Sequence, residues 1–164
     1  MVLSLFVIRA NAQDESITTI ILVRHAEKEA VQNGMSGTKD PNLSEEGQKR
    51  AQRLAAMFAN TSIDAVYSTP YIRTRKTVEP LAQAKSLTVL DYEPGKFEAI
   101  DKMLSDHQGK TIVVCGHSNT IPKIANYLFK TGNYKDFDDS DYGNIFIVTV
   151  VDSKKSSNVI WLRY

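Results

Sequence analysis

With 164 residues, 42% hydrophobic and 24% charged, the chain has the size and make-up of one soluble globular domain with a substantial core. A formal net charge of +1 excludes bulk electrostatic partnership with nucleic acid or a membrane surface, so any preference for anions must come from a local cluster. The single cysteine, Cys115, excludes an internal disulfide framework and a multi-cysteine metal site.

The N-terminus opens on a short apolar run, Val2 to Ile8, followed by Ala10-Asn11-Ala12-Gln13, a small-x-small pattern of the signal-peptidase kind. No Lys or Arg precedes the run and Arg9 closes it, so residues 1–12 read as the remnant of a secretory signal whose basic start is absent, and 13–164 as the domain. That reading places the mature chain in the periplasm or outside the cell; the alternative is a disordered or mispacked N-terminal tail on a cytoplasmic chain. The run is too short to cross a membrane. Ile17 to Val23 (ITTIILV) is β-branched and apolar on both faces, as a buried parallel strand must be. Ser44 is placed as an N-cap, with Ala51, Leu54, Ala55 and Phe58 at helical spacing behind it. Ala65 to Ser68 forms a short strand, and Pro70 opens a helix running to about Ala84. Leu87 to Tyr92 is the next strand and Phe97 to Asp106 the next helix. Thr111 to Cys115 (TIVVC) is a second buried strand, with a helix from about Thr120 to Lys130 after it. Ile145 to Val151 and Val159 to Leu162 pair antiparallel across the Asp152–Asn158 turn. This alternation predicts one three-layer α/β domain, a mostly parallel central sheet with helices on both faces. Ligands bind such sheets beyond the carboxyl ends of the strands.

That rule selects the residues with chemistry. The first apolar strand ends in Arg24-His25-Ala26-Glu27, and the later one in Gly116-His117-Ser118-Asn119. Gly116 permits a sharp strand-to-helix turn, and the helix that follows offers free N–H groups to an anion. Between them, Arg73 lies in the first turn of its helix, just past the end of a strand. Two guanidinium groups fork around phosphate oxygens, and a neutral imidazole is a competent nucleophile toward phosphorus. Alone, either histidine would ordinarily be a surface or capping residue; together, three strand ends deliver Arg24, His25, Arg73 and His117 to one place. Arg75, two positions past Arg73, points elsewhere on the helix.

Four segments resemble one family. Val23-Arg24-His25-Ala26 is similar to the Arg-His-Gly signature of the histidine phosphatase superfamily, the phosphoglycerate mutase-like group. Leu43-Ser44-Glu45-Glu46-Gly47-Gln48 resembles its Leu-Thr-x-x-Gly segment. The run from Tyr67 through Arg73 to Thr77 resembles Tyr-Ser-Ser-x-x-x-Arg-Ala-x-x-Thr, and Val113 to Ser118 resembles Val-Val-x-Gly-His-x. The matches fall in family order between Val23 and His117, with Ala26 in place of the usual glycine. The resemblance implies that His25 becomes phosphorylated and that Arg24, Arg73 and His117 form the phosphate pocket, without metal or cofactor. Many members carry a glutamate acid between the Arg73-type helix and the second histidine. Here the interval is short, with Asp91, Glu93 and Glu98 available. Glu93 is the preferred candidate, against a solvated loop carboxylate before Pro94. Glu27 either orients His25 or pairs with an arginine.

Other signals fail. Gly109-Lys110-Thr111 ends like a phosphate-binding loop, but the required first glycine is Leu104. Cys115 lacks the arginine six residues on that a cysteine phosphatase needs, since that position is Ile121; the thiol packs in the sheet. Asp136, Asp138, Asp139 and Asp141 form no calcium loop, because positions six and twelve are Asp141 and Ile147; they make a solvated loop that rims the pocket. Asn60-Thr61-Ser62 is a glycosylation sequon, relevant to a secreted chain in a glycosylating host. The sequence therefore predicts hydrolysis of a phosphomonoester or phosphoramidate through a phosphohistidine on His25. The rivals are a mutase-like phosphotransferase, for which the chain is short; a non-catalytic phospho-ligand binder; and a metal hydrolase built on His25 and His117, which lacks carboxylate ligands in its motifs.

Overall fold

In the computed structural model, residues 16–30, 39–151 and 155–164 are described. The apolar run Val2 to Ile8 and the Ala10–Gln13 pattern lie outside them. Strand β1 (Ile17–Arg24) is apolar on both faces and sits in the middle of a sheet. Among the described residues six strands align in the order β3-β2-β4-β1-β5-β6, formed by β2 (Ala65–Ser68), β3 (Val89–Asp91), β4 (Thr111–Gly116), β5 (Asn144–Val151) and β6 (Lys155–Arg163). The pairs β3–β2, β2–β4 and β4–β1 are parallel, while β5 and β6 are antiparallel additions at one edge. The last pair has the expected sense, but β6 begins at Lys155, inside the segment read as a turn.

Alternation along β1 assigns the layers. Ile21 and Val23 face Leu54 of α1 (Glu45–Met57), Phe58 at its C-cap, and Val78, Leu81 and Ala82 of α2 (Ile72–Ala84). Ile20 and Leu22 face Ile100, Met103 and Leu104 of α3 (Phe97–Asp106) and Ile121, Ile124 and Leu128 of α4 (Thr120–Phe129). Helices thus cover both faces, and β1 and β4 are buried along most of their length. Cys115 is fully buried, and burial pushes its thiol pKa up.

Two local features fix the strand ends that matter. Ser44 caps α1, its hydroxyl accepting from the Gly47 N–H at 3.1 Å, while its own N–H donates to Glu27 O at 3.0 Å. A Cβ on Gly47 would lie 2.1 Å from that same Glu27 oxygen, so only glycine lets α1 seat on the loop after β1. At the end of β4, a Cβ on Gly116 would lie 2.6 Å from Thr120 Oγ1, and the Gly116 carbonyl accepts from the His25 N–H at 2.9 Å. The two histidine-bearing turns are thereby tied together through backbone.

Candidate active site

Arg24, His25, Arg73 and His117 do meet. They line one cavity of about 480 Å³ beyond the carboxyl ends of β1, β2 and β4, with Lys28, Tyr71, Pro94, Ser118, Asn119, Thr120 and Asp139. His25 is buried, and its Nδ1 lies 2.7 Å from the Ala26 carbonyl oxygen. A carbonyl can only accept, so Nδ1 carries the proton and Nε2 keeps its lone pair. The Ala26 N–H donates to Thr77 Oγ1 at 2.9 Å, and Thr77 in turn donates to Arg73 O at 2.7 Å. The nucleophile's loop is therefore pinned to α2. Burial, reinforced by the neighbouring His117, Arg73 and Arg24, lowers the His25 pKa to about 3. The ring is neutral at physiological pH, as a nucleophile must be.

His117 lies edge-on to His25, with ring centroids 5.4 Å apart, and edge-on to Tyr71 at 5.0 Å. Burial, with Arg73 and Arg24, lowers its pKa to about 4. Arg73 reaches His117 Nδ1 at 3.4 Å and Asp40 Oδ1 at 3.3 Å, and its guanidinium lies 4.7 Å from the centre of the Tyr71 ring. Asp40 was not singled out by the sequence reading. It accepts from the Ile72 N–H at 3.0 Å, so one carboxylate both caps α2 and holds Arg73. Arg75 turns away to pair with Asp91, as its helix position requires.

Arg24 is placed differently from a simple phosphate clamp. Its Nη1 donates to the carbonyls of Asp138 (2.6 Å) and Asp141 (2.7 Å), and its Nη2 to that of Asp139 (2.9 Å). Tyr142 lies beneath it, 4.3 Å from ring centre to guanidinium. Three of the five guanidinium N–H groups are thereby used, and Nε is buried without a hydrogen-bond partner. The acidic loop does rim the cavity, through Asp139, whose carboxylate lies 3.9 Å from Arg24 Nη2, but backbone carbonyls accept the arginine's hydrogen bonds. This arrangement has no signal in residue types.

Glu93 is not brought to the cavity. It pairs with Lys96 at 2.7 Å on the surface, two-thirds exposed, and only its neighbour Pro94 reaches the wall. The physical reason is the turn before α3, which aims the side chain along the helix start and into water. Glu27 pairs with Arg50, at 2.6 Å for the closest contact, so of its two expected roles it takes the ion pair. Among the described residues, no three His, Cys, Asp or Glu side chains are grouped to share a metal ion.

Comparison with known proteins follows the same residues. Residues 20–95 match the family described as the Histidine phosphatase superfamily (branch 1). The chain is 44% identical over 72 residues to phosphoserine phosphatase 1 of Hydrogenobacter thermophilus, a stretch covering 43% of this chain and 34% of that one. It is 32% identical over 74 residues to a 2,3-bisphosphoglycerate-dependent phosphoglycerate mutase of Azorhizobium caulinodans, covering 43% and 36%. The matches thus span about a third of the length of these relatives. In fold, the chain resembles the protein histidine phosphatase SixA complexed with tungstate: TM-score 0.71, 14% identity, 88% of this chain and 96% of the other. It also resembles a mycobacterial glucosyl-3-phosphoglycerate phosphatase: TM-score 0.69, 13% identity, 90% and 97%.

Proposed function

We propose that the chain, which matches the Histidine phosphatase superfamily (branch 1) over residues 20–95, is a phosphatase of that superfamily that hydrolyses a phosphomonoester or phosphoramidate through a phosphohistidine on His25. The observation that carries this reading is the His25 Nδ1–Ala26 O contact of 2.7 Å, which leaves Nε2 as an unprotonated nucleophile inside a cavity lined by two guanidinium groups. Nε2 attacks phosphorus as the bond to the leaving oxygen or nitrogen breaks. Water then attacks the phosphohistidine, the N–P bond breaks, and His25 returns to its neutral form. Arg73, held by Asp40, and the free Nε of Arg24 offset charge on the transferring oxygens.

These cations supply the charge that a metal would otherwise bring, so the reaction proceeds without one. With Glu93 on the surface, the leaving group receives little help, which favours aryl phosphates and phosphohistidine over alkyl esters. The test is turnover of p-nitrophenyl phosphate before and after dialysis against EDTA, with vanadate as inhibitor. Activity that survives chelation and is blocked by vanadate supports the reading. Activity lost on chelation and restored by zinc or manganese supports the metal rival. We also propose export, with cleavage after Ala12, on the strength of the Val2–Ile8 run and the Ala10-x-Ala12 pattern. Mass spectrometry of protein from the native host decides it; an intact Met1 in the cytoplasm overturns it.

A further inference from the structure

Behind His117 lies a pair of fully buried hydroxyls, Thr69 and Thr74, that makes no contact with the cavity. Thr69 Oγ1 is 3.0 Å from His117 Nε2 and 2.9 Å from Thr74 Oγ1. Thr74 Oγ1 is in turn 2.9 Å from the carbonyl oxygens of Thr69 and Tyr71. The hydrogen bonds favour one direction for the protons of this chain. Both carbonyls accept, so Thr74 donates to them and accepts from Thr69. Thr69, its proton so committed, must accept from His117, and Nε2 therefore carries hydrogen. The far side of the ring agrees independently: Arg73 Nη2, 3.4 Å from Nδ1, can only donate, so Nδ1 is a bare acceptor.

We propose that the Thr69–Thr74 pair holds His117 in the Nε2–H tautomer, so that its cavity-side Nδ1 is a proton acceptor and takes the proton of a phosphoryl monoanion. A dianionic oxygen placed against that nitrogen would meet lone pair with lone pair. A monoanion has one P–O–H group that fits. On binding, that O–H bond breaks and an N–H bond forms. The phosphoryl group becomes a dianion, and His117 an imidazolium that donates back to it. The groups facing the ring set the balance: Arg73 and Tyr71 from the β2–α2 side, Arg24 and His25 from the end of β1, and Asp40 from the loop before α1. Burial and the two arginines keep the resting ring neutral; the incoming P–O–H group takes the place of the long Arg73 contact at Nδ1, and the dianion formed there offsets the two arginines and holds the transferred proton on the ring. Thr69 and Thr74 are positioning residues here. The proton-transfer half rests on the phosphatase reading; the tautomer half does not.

The test is ¹⁵N NMR of histidine-labelled protein without ligand. With three histidines in the chain, the His117 signals are those lost in His117→Gln. The expected spectrum shows a protonated Nε2 and an unprotonated Nδ1; the reverse overturns the proposal. Thr69→Val, which keeps shape and removes the hydroxyl, is expected to give a mixed or Nδ1–H population, and Thr69→Ser to restore the pure form. Should Thr69→Val not fold, Thr74→Val reports the same effect one link away. An unchanged Nε2–H tautomer in the valine variant means that the hydroxyls do not impose it. Phenylphosphonate, a non-hydrolysable mimic, tests the second half: affinity is expected to fall about tenfold per pH unit above its second pKa. Flat affinity overturns the proton transfer. No binding at any pH overturns both the transfer and the phosphatase reading, while the tautomer stands on the spectra.

Discussion

Arg24 and Arg73 both line the cavity, yet truncating them should separate stability from activity. Arg24 is fully buried and holds three backbone carbonyls of the 138–141 loop at 2.6–2.9 Å. Hydrogen bonds from a charged donor are worth about 1.5–3 kcal/mol each, which sets an upper bound of roughly 5–9 kcal/mol for three. The loop is exposed, so its freed carbonyls can turn to water, and removing a buried charge also removes its desolvation cost; about 3 kcal/mol is the expected loss for Arg24→Ala. With a urea m-value of about 2 kcal/mol/M, the unfolding midpoint falls by about 1.5 M. Arg73 has one ion-pair partner, the partly exposed Asp40 at 3.3 Å, beside a long 3.4 Å contact to His117 Nδ1 and the Tyr71 ring, so Arg73→Ala should cost about 1 kcal/mol. Its turnover should nonetheless fall on the order of 10²-fold, because a preorganised charge on the phosphoryl oxygens is lost. Urea titration by circular dichroism, beside p-nitrophenyl phosphate turnover, measures both quantities. An Arg24→Ala protein within about 0.5 kcal/mol of wild type, or an Arg73→Ala protein as destabilised as Arg24→Ala, would refute the assignment of these roles.

Three further outcomes are expected. Acidification should destabilise the fold between about pH 6.5 and 3: the unfolded chain protonates its histidines near 6.5, whereas folded His117 and His25 resist until about 4 and about 3. His117→Asn should flatten part of that slope in urea titrations run across the window, and an unaltered slope counts against the buried neutral ring. Gly47→Ala should destabilise by about 2 kcal/mol, the overpacking against Glu27 O outweighing the helix-propensity gain of alanine; thermal melts showing a higher midpoint would contradict the close approach. Glu93→Gln should leave turnover unchanged across leaving groups of differing pKa, since its carboxylate pairs with Lys96 outside the cavity. Selective slowing of alkyl esters would show that Glu93 swings in.

Much of the fold was legible because burial on two faces leaves a strong residue signature. ITTIILV and TIVVC can only be central strands, and the Ser44 cap, the β2 bounds and the α3 bounds follow from local chemistry. Helix α2 begins at Ile72 rather than Pro70, because the carboxylate of Asp40, 32 residues upstream of Ile72, satisfies its first free N–H. No window along the chain contains that contact. That Arg24, His25, Arg73 and His117 come together in one cavity was readable from strand ends and motif order. What holds them was not. The acidic loop engages Arg24 through carbonyls, which every residue possesses, and the Thr69–Thr74 relay depends on hydroxyl directions that composition does not reveal. Glu93 lies outside the cavity for the same reason: proximity in sequence does not specify which way a turn aims a side chain.

The most direct measurement traps the covalent intermediate. Enzyme mixed rapidly with labelled substrate, quenched without acid and digested, should carry phosphate on the peptide containing His25, bound through a linkage stable to alkali and labile to acid. His25→Ala should fold as wild type and give no labelled peptide and no turnover. Label on a carboxylate or on Cys115, or turnover persisting in His25→Ala, would contradict the role of His25 as the residue that bonds to phosphorus.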